Sequence, residues 1–278
     1  MIEWRPIYWR LFDRLRPIPI PPRPPETPWI VGSTFPPFSL EEYDYLEPAH
    51  LLYRVSPADG AAHVLDWGGS VLVLLNDAGD PLASFDVEDY RPYFDHPRVW
   101  GIELGNELNL PYKRDPRSVN AFYLEAVDEL RAAGYQGRIV TGGIMNLNDE
   151  TLRWARKTIK GLPGDVIFGW HGYDDWRDQL EKLHGILNAR RHAMTECGVW
   201  IEDEAIAAHL IHTGITQIYN AGSLCYVHYQ THDGAPNTEL NSFGLREYSG
   251  AWRDQIIAVL RQWSLPPTSE VYVSARPD

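Results

Sequence analysis

The feature that most constrains this chain is a repeated alternation. From Trp29 onward, short apolar runs of strand length take turns with longer stretches of helical periodicity. The runs are Trp29–Thr34, His50–Val55, Ser70–Asn76, Val99–Gly105, Arg138–Gly143, Val166–His171, His192–Thr195 and Leu224–Tyr229. Helical patterns between them are clearest at Ser118–Ala133, Asp149–Ile159, Trp176–Asn188, Glu202–His212 and Tyr248–Trp263. Eight strands alternating with helices over one domain's length predict an α/β fold, a closed (β/α)8 TIM barrel. The 278 residues fit, since such a barrel takes about 250. A doubly wound open sheet is the alternative, weakened because no glycine-rich phosphate loop follows the first strand. Ser118 is expected to cap its helix, and Gly134 to end it where a left-handed residue is wanted. The stretch from Ser39 to Gly69 is poorly periodic, so the second helix must be short or missing.

The flanks differ from the barrel, expected at 29–265. In residues 1–28, Trp4, Tyr8, Leu11, Phe12 and Leu15 recur at helical spacing among Arg5, Arg10, Arg14 and Arg16. Pro17, Pro19, Pro21, Pro22, Pro24 and Pro25 then predict a stiff, extended connector. The basic amphipathic segment suits a membrane surface; docking on the barrel's outside or on a partner subunit is the preferred reading. The tail, 266–278, holds one strand-like run, Val271–Ser274, with no evident place.

Charge excludes some partners. A formal net charge of −13, without a dense Lys/Arg run, would repel nucleic acid over most of the surface. No apolar run approaches membrane-spanning length. The N-terminus lacks the apolar core of a secretory signal, so either the protein stays inside the cell or a leader has been removed. Cys197 and Cys225 form no metal-type cluster and read as buried thiols, with a bond between them left open. The 11 Trp and 15 Tyr favour a carbohydrate partner only slightly, because aromatic rings fill cores as well as stack on sugars.

The chemistry is carried by two glutamates. The fourth run reads Val-Trp-Gly-Ile-Glu-Leu-Gly-Asn-Glu from Val99 to Glu107; the seventh reads His-Ala-Met-Thr-Glu from His192 to Glu196. Each passes from apolar residues into a glutamate at the C-terminal edge of a strand, where barrel active sites lie. A carboxylate there is partly desolvated, which is costly unless a partner or a function compensates. Two such groups across one mouth suit glycosidic cleavage. One is protonated to serve the leaving oxygen; the other is ionised to attack the anomeric carbon.

Asn106-Glu107 on the fourth strand, with a glutamate ending the seventh, resembles clan A of the glycoside hydrolases. That group of retaining (β/α)8 enzymes includes cellulases, mannanases, xylanases and β-galactosidases. The resemblance spans Trp29 to Trp263. It implies that Glu107 is the general acid/base, Glu196 the nucleophile, and Asn106 the ligand of the substrate 2-hydroxyl. Trp170-His171-Gly172-Tyr173 is similar to the His-x-Tyr found after the sixth strand in that clan. By this match Tyr173 would donate to the nucleophile and His171 would line the sugar site, with Trp170 beside it. Arg54 would correspond to the arginine that orients the nucleophile. The eighth strand departs from the pattern. Where clan members carry a tryptophan platform, this chain has Tyr226, His228, Tyr229 and Gln230, so Tyr226 and His228 are taken as substrate contacts.

Other polar residues read first as turn chemistry: Asn76-Asp77, Asn146 and Thr231-His232-Asp233-Gly234. Two rival functions stand beside the glycosidase. One is a metal-dependent barrel hydrolase with His171, Glu196 and His228 as ligands. The other is a carbohydrate-binding barrel without catalysis. The lead reading needs no metal or organic cofactor, and leaves the sugar, its linkage and the oligomeric state open. Short βα loops favour an open groove, and hence internal cleavage of a polysaccharide.

Overall fold

A computed structural model describes residues 30–47, 50–75, 85–109, 114–145, 147–173, 182–183, 190–199, 201, 203–232, 244–247 and 249–264. Residues 1–28, Asn76-Asp77, Asn146, most of 176–188, Asp233-Gly234 and the tail 266–278 lie outside this set.

The eight expected strands are all present: β1 (Ile30–Thr34), β2 (Leu52–Val55), β3 (Ser70–Leu74), β4 (Val99–Asn106), β5 (Arg138–Gly143), β6 (Phe168–Tyr173), β7 (His192–Gly198) and β8 (Cys225–His228). They form one parallel sheet in the order β5-β4-β3-β2-β1-β8-β7-β6. The ends of that sequence meet. Ile167 N donates to Ile139 O and Thr141 N to Ile167 O, both at 2.9 Å, and His171 N donates to Ile144 O at 2.8 Å. Isolated bridges join Val140 to Ile167 and Ile144 to Trp170. The sheet is thus a nearly closed (β/α)8 barrel, and the open doubly wound alternative falls.

Alternation along the strands sorts the side chains into two sets. Ile30, Leu52, Leu72, Trp100, Val140, Ile167, Ala193, Cys225 and Val227 pack together as one apolar cluster to which every strand or its flank contributes, the barrel lumen. Tyr53, Val71, Val73, Ile102, Ile139, Phe168, Trp170, Met194 and Tyr226 belong to the larger layer under the helices. Along β2 this places Leu52 and Arg54 inward and Tyr53 and Val55 outward. Register, reset by an irregularity between β3 and β4, puts Glu103 beside Val140 and so into the lumen above the apolar plug.

Six α-helices occur among the described residues: α1 (Leu40–Leu46), α2 (Ala61–Asp66), α3 (Pro116–Ala132), α4 (Asp149–Thr158), α5 (Glu204–Asn220) and α6 (Asp254–Trp263). The second is short, as the weak periodicity implied. The cap of α3 differs from expectation: Asp115, not Ser118, accepts the Ser118 N–H at 3.1 Å, and Pro116 occupies the first turn, where its missing N–H costs nothing. Gly134 follows α3 with φ 99°, the left-handed position foreseen for it. Helix α5 runs beyond His212 to Asn220, and α6 begins at Asp254 rather than Tyr248. Both cysteines are buried free thiols, which answers the question of a bond between them. No described helix is long and apolar enough to cross a membrane.

Candidate active site

Arg54 organises the mouth of the barrel. It projects from β2 with its side chain only 3% exposed, so its charge must be met by anions. Its Nε lies 2.5 Å and its Nη2 3.2 Å from the two oxygens of Glu103 on β4. Its Nη1 reaches Oε2 of Glu196 on β7 at 2.9 Å, and Nη2 also donates to Oδ1 of Asn106 at 2.8 Å. Burial works against the guanidinium's charge, but the carboxylates of Glu103 and Glu196 more than offset this and raise its pKa.

Glu103 is the residue that sequence reading missed. Its carboxylate is fully buried and takes, besides Arg54, the backbone N–H of Gly143 at 3.0 Å and the hydroxyl of Thr195 at 2.8 Å. The signal was a single charge inside an apolar run, Trp100-Gly-Ile-Glu-Leu. Such a charge has to be partnered, and its partner lies 49 positions away along the chain.

The two glutamates singled out by sequence face each other across this network. Oε2 of Glu196 is held by Arg54, and Oε1 accepts a short hydrogen bond from the Tyr173 hydroxyl. Burial first, then the charge of Glu196, raises the Tyr173 pKa, so the phenol keeps its proton and donates. The Glu196 side chain is 9% exposed; that of Glu107 is 25% exposed. Burial raises the Glu107 pKa, opposed by the more distant Arg54. Oε1 of Glu107 lies 2.8 Å from Nδ1 of His171 on β6. Burial depresses the His171 pKa to about 4, so the ring is neutral at pH 7. One oxygen of each glutamate and one His171 nitrogen all lie within 4.8 Å of one another.

Local backbone makes this approach possible. Glu107 has φ 47°, a left-handed conformation that costs a non-glycine residue roughly 1 kcal/mol or more, and its N–H is tied to Gly143 O at 2.8 Å. Gly143 must lack a side chain, because a Cβ there would sit 2.0 Å from Nε2 of His171.

The structure brings Glu107, Glu196, Asn106, His171, Tyr173 and Arg54 together. It does not bring Trp170, Tyr226 or His228 to them as substrate contacts. Trp170 and Tyr226 are wholly buried in the layer under the helices, with the Trp170 indole N–H on Nδ1 of His192 at 3.2 Å. His228, two residues on from Tyr226 on β8, is buried too, its ring stacked beside Tyr226 at 6.5 Å. Strand parity is the reason: residues two apart share a face, and this face looks at helices. The residue of β8's end that does reach the mouth is Tyr229, edge-on to Tyr173 at 6.1 Å. For the same reason the metal set His171, Glu196 and His228 does not converge. Glu107, His171 and Glu196 do converge, but Glu196 already accepts from Arg54 and Tyr173, and a guanidinium 2.9 Å away opposes a cation.

No protein-family model and no curated protein matches the sequence. Solved structures do match. The cellulose synthase subunit Z of Clostridioides difficile superposes with a TM-score of 0.63 at 12% identity, over 84% of this chain and 99% of that one. The fold, a nearly closed (β/α)8 barrel, is shared with glycoside hydrolases among these structures. A GH128 endo-β-1,3-glucanase from Pseudomonas viridiflava gives a TM-score of 0.62 at 14% identity, over 87% and 100% of the two chains. A GH5 xyloglucan-specific endo-β-1,4-glucanase from a metagenomic library, solved with cellotriose, gives 0.62 at 15%, over 82% and 88%. At these identities the likeness is one of fold.

Proposed function

We propose that the protein is a retaining glycoside hydrolase that cleaves β-linked glucan chains internally. The observation that carries this reading is the pairing of Glu107 and Glu196. Oxygens of the two carboxyls lie within 4.8 Å, and burial raises the pKa of Glu107. Retaining glycosidases hold their carboxyls about 5–5.5 Å apart, whereas inverting ones leave roughly 6.5–9.5 Å for a water.

In the first step the Glu107 carboxyl gives its proton to the glycosidic oxygen as the bond from the anomeric carbon breaks. A Glu196 oxygen forms an ester bond to that carbon, and the departing sugar leaves as an alcohol. In the second step Glu107, now ionised, takes a proton from water. The water oxygen bonds to the anomeric carbon, and Glu196 leaves as carboxylate. Arg54 and Tyr173 donate to the two oxygens of Glu196 and hold it oriented for attack. Neutral His171 shares a proton with Glu107 without competing for positive charge. Asn106, whose Oδ1 is occupied by Arg54, turns its amide N–H groups toward the 2-hydroxyl.

Glucan is the substrate class because the fold neighbours include β-1,3- and β-1,4-glucanases. The test is NMR of the first-formed product from a panel of β-glucans. The β-anomer is expected initially; an α-anomer would overturn the retaining mechanism, and no release from any glycan would overturn the function.

A further inference from the structure

We propose that Phe38 and Phe35, on the loop between β1 and α1, form a stacking shelf for sugar units beyond the one being cleaved. The inference rests on reading the barrel mouth as a glycosidase site, and it names where the remainder of a long substrate lies.

Phe38 is 78% exposed, the most exposed of the large apolar side chains described. A scattered surface apolar residue needs no explanation. Phe38 is different because it is mounted. Its ring lies flat on that of His232, 3.9 Å between centroids and 7° between planes. His232 Nε2 is held by Oε2 of Glu42 at 2.9 Å, and the same oxygen accepts the Phe38 backbone N–H at 2.7 Å. Arg246 anchors the other oxygen of Glu42. Glu42 itself sits in the first turn of α1, its own N–H on Ser39 Oγ at 3.3 Å. Two charged side chains and a helix start thus fix one face of a phenyl ring and present the other to solvent.

The shelf is continuous with the catalytic centre. Tyr173, on the nucleophile, meets Tyr229 edge-on at 6.1 Å, and Tyr229 meets Phe35 edge-on at 6.2 Å. Phe35 is 44% exposed, and its carbonyl is tied to the Thr231 hydroxyl at 2.6 Å, next to His232. Ring contacts therefore lead from Tyr173 across Tyr229 to Phe35, and Phe38 stands three positions further along the same loop. Pyranose rings of a β-glucan carry axial C–H groups on both faces, and an aromatic face matches them. This chain has no tryptophan at the end of β8, and the Phe38–His232 pair supplies a flat surface one loop further out.

The test uses the full chain carrying Glu196→Ala, which binds without turnover, in native gels containing a neutral glucan, hydroxyethyl cellulose or laminarin. Neutral polymers avoid repulsion by the net charge of −13. Retardation of the parent is expected, with affinity falling about tenfold on adding Phe38→Ala and recovering in Phe38→Trp. Calorimetric titration with oligosaccharides of three to six units should show the Phe38→Ala loss growing with length. Unfolding temperatures of the variants check that the fold is intact. Equal retardation of parent and Phe38→Ala overturns the proposal, as does a parent retarded by neither glucan. A parent that dimerises on sizing while Phe38→Ala does not also overturns it, since the ring then serves a protein interface. Binding through Phe38 without cleavage by the chain that retains Glu196 would sink the glycosidase reading and leave the shelf. Cleavage without any effect of Phe38 on binding would sink the shelf alone.

Discussion

Nε of Arg54 lies 2.5 Å from Oε2 of Glu103, so the guanidinium that reaches Glu196 is itself held by a second, deeper carboxylate. One cation is shared between two anions, and each anion has further donors. Removing Glu103 leaves Arg54 buried with Glu196 as its remaining carboxylate partner.

For that reason Glu103→Ala should destabilise the protein by about 3–5 kcal/mol, the usual loss when one partner of a buried ion pair goes. Chemical denaturation measures it. Glu103→Gln keeps the shape and should fold, with kcat reduced because Arg54 draws closer to Glu196. A Glu103→Ala chain as stable as the parent would show that the pair is dispensable.

Tyr173→Phe deletes the donor to Oε1 of Glu196. A hydrogen bond to a charged group contributes about 1.5–3 kcal/mol, so kcat/KM should fall roughly 10- to 100-fold. Steady-state kinetics on an aryl glycoside checks this, and an unchanged value would show that the Tyr173 hydroxyl does not support Glu196 in turnover.

His171 sets a pH window for stability. Its folded pKa is depressed by burial from 6.5 to about 4. The stability it contributes is present above pH 6.5 and is lost as pH falls toward 4, because the unfolded chain takes up the proton first. The full loss is about 3 kcal/mol. Urea denaturation between pH 7 and 4 should show a shallower decline in His171→Asn than in the parent. Glu107, raised by burial, titrates in the opposite sense: in the proposed mechanism it must stay protonated, so activity should fall as pH rises through its folded pKa.

Gly143→Ala should both destabilise the protein and impair turnover. Its Cβ would meet His171 Nε2 at 2.0 Å, and the ring can yield only by leaving Oε1 of Glu107. Overpacking of this kind costs about 1–3 kcal/mol. The checks are the melting temperature and the alkaline limb of the pH–rate profile, which should shift. An unaltered limb would mean that His171 does not tune Glu107.

Much of the architecture was legible in the residues. All eight strands stand where apolar runs predicted them, because a strand covered on both faces leaves an unbroken apolar signature. Glu107 and Glu196 were legible for a related reason: a charge at the end of such a run stands out. Trp170, Tyr226 and His228 were misplaced because adjacency to a site residue was read as a shared direction, whereas strand parity points neighbours to opposite faces. The α3 cap was misread as Ser118, three residues inside the true start at Asp115.

The sequence by itself determined the order of elements and the two carboxylates at strand ends, since each depends on local periodicity or on a polar residue breaking it; contacts between β5 and β6 decided that the sheet closes. Only the tertiary structure decided how those carboxylates differ. Glu103 reaches Arg54 across 49 positions, Arg54 reaches Glu196 across 142, and His171 reaches Glu107 across 64. Burial and the approach of charges set acidity, and both are properties of neighbours that closure of the barrel brings together.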